Sequence, residues 1–535
     1  MTQNRKLAKT AGMISALTMV SRIFGYIRDG IGGAILGAGM ANDAYLAAFR
    51  IPNLLRDLFA EGALSSAFVP TFTKTQVQDG QVRAWRLVSV VINFALVIML
   101  GLIVAGEIWT PGLVRIIVPG FGAVPEKWQL TILLTRILLP FLAFVSLAAV
   151  FMGILNSNER FGIPAFAPVM FNLSMIVSGL MTLPMMQVPE QQVVWWAWGA
   201  LLGGLFQMAV QIPSVWKLGY RWSWTLDWKD PGLRRIVKLM GPAVLGLSVT
   251  QINLFVNTII ASYLPEGSVT YLYYGNRLMQ LPLGVFGVAI ATALLPISAG
   301  HLARGEKAEF TKTLSFGLRL LFVITVPAAV GIMVLSEPIN RLLFEYGRFT
   351  PEAVRAVAYA SVLYTLGLVA YAGVKVVVPT FYALNDAKTP LVAAALAVSV
   401  NIGLNLALMR PWGYKGIALA TALAAFVNFG FLMVKLRQRV GALDGKRIAN
   451  SLGRVILASA AMGWLIWAGS RGWLPGAGEH VPRSVMALKV FALIGFGGVS
   501  YLAFGWFFKI PEQKRVLDLV RAKVGLGGTR EPWIE

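Results

Sequence analysis

The feature that most constrains this chain is a succession of apolar runs long enough to cross a bilayer. "LVSVVINFALVIMLGLIVAGEIW" (87–109) holds one charge, near its end, and "LLFVITVPAAVGIMVL" (320–335) holds none. Roughly 20 apolar residues span a hydrocarbon core as a helix, and a helix satisfies its own backbone polar groups there. Of 535 residues, 57% are hydrophobic and 13% charged. A soluble domain averages about 25% charged. The apolar surplus exceeds what one core can bury, so it must face lipid. The expectation is an all-α polytopic membrane protein with about fourteen transmembrane helices, the first near 10–37 and the last near 486–508.

Net charge is +23, which in a membrane protein points to basic loops rather than to nucleic acid. The terminal-side loops, such as "KLGYRWSWTLDWKDPGLRRIVK" (217–238) and "KLRQRVGALDGKR" (435–447), and both tails carry about 29 Lys and Arg, against about nine opposite. Both termini are therefore expected in the cytoplasm. The basic, then apolar N-terminus continues through Arg22 and Arg28 without a small-residue cleavage site, and reads as an uncleaved first helix. Cysteine is absent, and His301 and His480 are the only histidines. No disulfide framework, thiolate site or His-based metal cluster is expected, and no cofactor.

An internal repeat organises the chain. At a shift of 226 residues, "AYLAAFRIPNLLRDLFAEGALSSAFVP" lies over "TYLYYGNRLMQLPLGVFGVAIATALLP", matching Tyr45 to Tyr271, Ala63 to Ala289 and Pro70 to Pro296. A weaker echo, with gaps, pairs 153–166 with 382–393. An even-numbered repeat keeps its orientation, giving two parallel, pseudo-symmetric six-helix lobes around a central cavity. The expected divisions are a first lobe over 1–225, a second over 226–440, two added helices over 441–510 and a tail over 511–535. "PEQKRVLDLVRAKVG" (511–525) suits either a basic amphipathic helix at the cytoplasmic surface or a solvated one.

The first two helices carry charge where lipid forbids it. Asp43, Arg50 and Asp57 recur every seven residues, Glu61 follows Asp57 by four, and Arg56 sits beside them. Seven residues make nearly two turns, so these line one face. Ser21, Phe24 and Arg28 form a stripe on the first helix, with Arg22 and Asp29 a second pair seven apart. A charged stripe on a spanning helix faces protein or a water-filled cavity. Salt-bridged glue between helices would explain balanced charge. Here Arg22, Arg28, Arg50, Arg56 and Arg277 outweigh Asp29, Asp43, Asp57 and Glu61 in positive strength, and a surplus of arginine suits an anion, because its fork matches phosphate oxygens. The residues thus point to carriage of a phosphate- or carboxylate-bearing substrate through the membrane. Pro52 and Pro282, inside apolar segments, should kink them.

At these residues the sequence resembles the MurJ (MviN) family of bacterial lipid II flippases. The likeness rests on "SRIFGYIRDGIGGAILGAGMANDAYLAAFRIPNLLRDLFAEGALSSAFVP" (21–70), "GILNSNERFGIPAFAPVMFN" (153–172), "YGNRLMQLPLGVFGVAIATALLP" (274–296), "LFEYGRFT" (343–350) and "VVVPTFYALNDAKTP" (376–390). The resemblance implies the fold of the multidrug/oligosaccharidyl-lipid/polysaccharide exporters. It implies alternating-access transfer of lipid II, the undecaprenyl-pyrophosphate disaccharide-pentapeptide, from the cytoplasmic to the periplasmic leaflet of the inner membrane. By motif, Arg28 in "GYIRDG", Arg56 in "NLLRDLF" and Arg277 in "GNRLMQ" match cavity arginines that engage pyrophosphate, and Asp43 in "AND" matches an acidic cavity residue. Arg22, Asp29, Arg50 and Glu61 match further charged positions, whereas Asp57 stands where relatives can carry a second basic residue. The resemblance also implies a groove for the lipid tail reaching into 441–510, and a monomer whose partners are lipid II, phospholipids and the cell-wall synthesis machinery.

The residues leave three rival readings. An exporter of another polyprenyl-linked glycan shares the fold. A drug/cation antiporter would want an acidic, aromatic cavity. A membrane glycan polymerase needs an acidic catalytic group on a sizeable outer loop, and loops such as "LPEGS" (264–268) are short. The energy source, membrane potential or a coupling ion, is not readable. The segment 237–262 has Asn253 and Asn257 but no carboxylate, which disfavours a strong sodium site there.

Overall fold

The computed structural model describes residues 3–56, 64–184, 186–474 and 481–515. Among these residues there is no strand. Asp57, Glu61, His480 and the tail beyond Arg515 lie outside the described residues.

Contacts divide the chain into two compact units, Met1–Thr270 with Phe344–Thr350, and Tyr271–Leu343 with Pro351–Glu535. The first holds α1 (Gln3–Leu36), α2 (Met40–Leu55), α3 (Ser65–Gln78), α4 (Gln81–Ile108), α5 (Thr110–Ile117), α6 (Pro125–Leu138), α7 (Phe141–Ser157), α8 (Gly162–Thr182), α9 (Pro189–Ala209), α10 (Ile212–Trp216) and α11 (Pro231–Ala261). The second takes up most of α12 (Ser268–Pro282). It continues through α13 (Val288–Ala303), α14 (Lys307–Phe344), α15 (Pro351–Leu366), α16 (Leu368–Ala383), α17 (Lys388–Trp412), α18 (Tyr414–Val440), α19 (Gly445–Trp473) and α20 (Arg483–Phe507).

Among the described residues, ten helical segments are long and apolar enough to cross a membrane, or eleven if α15 and α16, bent by 43°, count as one. The count of fourteen is not reached by that measure. Two of the expected spans that fall short, 10–37 and 42–72, carry the charged stripe, and the second runs through 57–63. Pro52 lies inside α2, and Pro282 ends α12 ahead of a π-helical turn over Leu283–Gly287. A proline removes an intrahelical hydrogen bond, which is where a wider turn is accommodated.

The repeat extends beyond its sequence match. Gln81 and Lys307 open α4 and α14, Pro125 and Pro351 open α6 and α15, and Gly162 and Lys388 open α8 and α17. Each pair is 226 apart. The turn after α7 recurs after α16 at the same shift, without a gap. Glu159 (φ 56°) and Asn385 (φ 57°) both take the left-handed conformation. Arg160 N–H donates to Leu155 O at 2.8 Å, and Asp386 N–H to Phe381 O at 2.9 Å. Such caps satisfy the last carbonyls of a helix. Asp386 also accepts from Thr389 N–H at 2.9 Å, and the backbone bond holds its carboxyl below the usual range.

Close helix approach in the first unit depends on small residues. Trp196 of α9 is buried between α1 and α8. A Cβ on Gly32 would stand 2.8 Å from its ring, and one on Gly179 2.5 Å. Small residues do this in membranes because helices there associate largely by packing. The segment Phe344–Thr350 docks on the same unit: Arg348 N–H donates to Ala34 O at 2.9 Å, and its guanidinium to Ile35 O and to Gln192 Oε1.

In the second unit, Phe310, Leu314, Leu318 and Phe322 of α14 pack in one core with Val455 and Met462 of α19 and Leu493 and Tyr501 of α20. Tyr501 donates to Val323 O at 2.8 Å. Beyond α20, the buried Glu512 accepts from Arg319 of α14 and, at 2.9 Å, from Ser451 of α19. The two last helices are thus fastened at one end by a buried ion pair with a second donor.

Candidate functional site

The stripe expected on α1 is present at Arg28. Its side chain is 13% exposed, and Asp29 beside it 4%. Arg28 Nε and one terminal nitrogen donate to Asp29 Oδ1 at 3.0 and 2.6 Å, and the other terminal nitrogen donates to Asn172 Oδ1 at 3.1 Å. Asn172 Nδ2 in turn donates to Ser21 O and to Pro168 O, each at 3.2 Å. The guanidinium also lies 5.6 Å from the Phe171 ring centroid. Its plane is therefore held from three directions: by its neighbour in sequence, by an amide of α8, and by an aromatic face. Asp29, which shares a helix face with Arg22 seven residues back, is bound by the adjacent Arg28.

Asp43 is in a different environment. It is 1% exposed, and its carboxylate accepts four hydrogen bonds. Lys127 Nζ donates to Oδ2 at 2.8 Å, as does Gly267 N–H at 2.8 Å. Thr270 donates to Oδ1 through its N–H at 2.9 Å and its hydroxyl at 2.7 Å. Two of these donors are amides at the start of α12, where a helix has unpaired N–H groups and positive dipole charge. Lys127 is itself buried, 4.0 Å from the Phe121 ring centroid.

The start of α2 is capped in the reciprocal sense, since Glu266 Oε1 accepts from Met40 N–H at 2.5 Å. Gly39 leaves the room, because a Cβ there would stand 2.9 Å from that oxygen. The helix starts at Met40 and Ser268, two residues from exact equivalence at the repeat shift, thus exchange caps through acids on each other's segments.

Arg22 is half-buried on α1, Arg50 half-buried on α2 two turns after Asp43, and Arg56 half-buried just past the end of α2. Arg277 is half-buried on α12 and belongs to the second unit. Asp57 and Glu61 fall outside the described residues. Lys127 and Asn172 were missed by sequence reasoning. Lys127 opens an apolar span and reads there as an outer-loop charge. Asn172 ends the "APVMFN" stretch quoted for the family likeness, where an amide in an apolar helix was the available signal. Among the described residues no group of three His, Cys, Asp or Glu could hold a metal ion.

Comparison with known proteins gives matches along most of the chain. The family model described as "Lipid II flippase MurJ" matches residues 33–486. A relative from Vibrio cholerae, named "Probable lipid II flippase MurJ", is 36% identical over 94% of this chain and 96% of its own length. One from Burkholderia cenocepacia, named "Lipid II flippase MurJ", is 32% identical over 92% of this chain and 97% of its own. The solved structure "Lipid II flippase MurJ, inward closed conformation" superposes with a TM-score of 0.77 at 26% identity, covering 93% of this chain and 98% of that one. An inward-facing multidrug transporter of the MATE family shares the fold, with a TM-score of 0.66 at 16% identity over 81% of this chain and 99% of its own. With the family model matched over most of the chain and relatives above 30% identity along nearly all of it, this chain belongs to the lipid II flippase MurJ family.

Proposed function

We propose that this protein moves lipid II from the cytoplasmic to the periplasmic leaflet of the bacterial inner membrane by alternating access. The observation that carries the reading is the immobilised Arg28 guanidinium, facing a phenyl ring and an amide on a membrane helix. A fixed fork binds a diphosphate with little further loss of side-chain freedom. Arg56 and Arg277 supply further cationic charge for the pyrophosphate in this proposal, with Arg22, Asp29, Arg50 and Glu61 shaping the field around it. The helices of 441–510 form part of a groove for the polyprenyl tail. In this proposal the apolar runs supply about fourteen spans, and the loop-charge asymmetry puts both termini in the cytoplasm.

The test is complementation of a strain depleted of its own flippase, with lipid II exposure on the outer leaflet as readout. The parent chain should restore exposure, and Arg28→Ala, Arg56→Ala and Arg277→Ala should each abolish it at normal membrane abundance. Failure of the parent to restore exposure would end the proposal. Normal exposure in all three variants would return the arginines to a structural role.

A further inference from the structure

The connector after α10 is not a surface loop of the ordinary kind. Residues 220–230 have no helix, and they run down α4 and back. On the way down, Tyr220 packs on Trp85 with ring centroids 5.5 Å apart, and its hydroxyl lies 3.1 Å from Ser89 Oγ. At the far point, Trp222 Nε1 donates to Asn93 Oδ1 at 2.9 Å, and Asn93 Nδ2 donates to Ser223 O at 2.9 Å and Thr225 O at 3.0 Å. On the way back, Trp228 meets Phe94 edge-on at 5.0 Å, Arg86 pairs with Asp227 at 3.5 Å, and Arg83 with Asp230 at 2.6 Å. Asp230 then caps α11 through Gly232 N–H and Leu233 N–H.

The far point lies deep. Asn93 is fully buried and comes seven residues after Arg86, the last charge before the apolar run of α4. At 1.5 Å per residue the connector reaches roughly 10 Å past that charge along the helix. Irregular backbone at such depth is tolerated only where its carbonyls are satisfied by protein. Asn93, an amide that an otherwise apolar run would not favour, does this for two carbonyls and an indole.

The connector still leaves much aromatic surface uncovered, even on Trp222 and Trp228, which touch α4 at one edge. Trp222, Trp224, Leu226 and Trp228 alternate along it and are 55, 60, 42 and 53% exposed. In extended backbone, alternate residues share a face. Tryptophan is the residue that concentrates at the membrane interface, where its ring is buried and its N–H stays polar. Arg221 and Lys229, both exposed, flank the strip and suit lipid phosphates. Continuity with α4, itself a candidate span, sets the occupant.

We infer that residues 220–230 form a re-entrant aromatic strip that inserts into the phospholipid leaflet where α4 begins, with Asn93 as its polar seat. The strip fixes the depth of the connector and, through Asp230, the start of α11. It does not depend on what the protein transports.

The chain lacks cysteine, so one can be placed at will. Leu226→Cys, labelled with bimane in the full chain, is reconstituted into vesicles of phosphatidylethanolamine and phosphatidylglycerol. Asp79→Cys, in the exposed turn before α4, serves as the reference. Nitroxides carried on lipid should quench the label at 226 several-fold more than the label at 79, and aqueous iodide the reverse. A label at 226 that iodide reaches as readily as the one at 79 overturns insertion, and makes the strip a docking face for a soluble protein. Asn93→Leu should lift the strip and cut lipid quenching several-fold. Trp222→Phe, which removes only the indole donor, should cut it less. Unchanged quenching in both variants would remove Asn93 from the proposal.

Discussion

Arg28 and Asp43 stand on neighbouring helices and read alike in sequence, as charges on membrane-facing helices. The structure separates them. Asp43 is closed off, with four donors around two oxygens and a buried lysine as counter-ion. Arg28 is held in place but remains 13% exposed, over a phenyl ring. A carboxylate so fully enclosed caps helix starts, whereas the braced, partly exposed guanidinium is the group that meets the anion in the proposed function. What separates the two charges is exposure, 1% at Asp43 and 13% at Arg28.

The largest effect should come from breaking the enclosed site. Asp43→Ala leaves Lys127 charged and buried and uncaps α12, at a cost of about 3–5 kcal/mol for the orphaned charge alone. Folded yield and thermal stability should both fall steeply. The double variant Asp43→Asn with Lys127→Met removes the orphan, and should recover much of that stability. If transport returns with stability, Asp43 is structural; if stability returns and transport does not, Asp43 acts on the substrate as Arg28 is proposed to do.

A smaller effect is expected from Arg28→Lys, which keeps the charge beside Asp29 and loses the planar fork. A charge-assisted hydrogen bond contributes about 1.5–3 kcal/mol, so lipid II affinity should weaken about ten- to a hundred-fold, with stability near the parent's. Equal affinity would place Arg28 with Asp43 among the structural charges. The smallest effect is expected from Asn172→Ala, which frees one side of the guanidinium and touches neither charge. About 1 kcal/mol of bracing, some fivefold in affinity, is at stake. A loss as large as that of Arg28→Lys would show that orientation, and not the fork itself, governs binding.

The halves of the repeat illustrate how far sequence reaches. The match of 45–70 with 271–296 was visible because identical residues survive there. The ungapped match of the turns at Glu159 and Asn385 was not, because a left-handed residue and its carbonyl partner recur while the side chains differ. Lys127 could not be found as the partner of Asp43 for a related reason. The two are 84 residues apart, and no periodicity links positions on different helices. Nor did the apolar run around Asn93 reveal that a distant connector would return to it.

By itself the sequence determined that this chain crosses the membrane many times as helices, because apolar runs of that length have no other stable form in lipid. It also determined that the first two helices must turn charge inward, and its motifs marked the family. Which charge is enclosed and which is left partly open was decided only by the tertiary structure. A helix dictates which residues share its face, but the partners that face meets come from other helices, and in a low-dielectric interior those partners determine whether a charge is locked away or available.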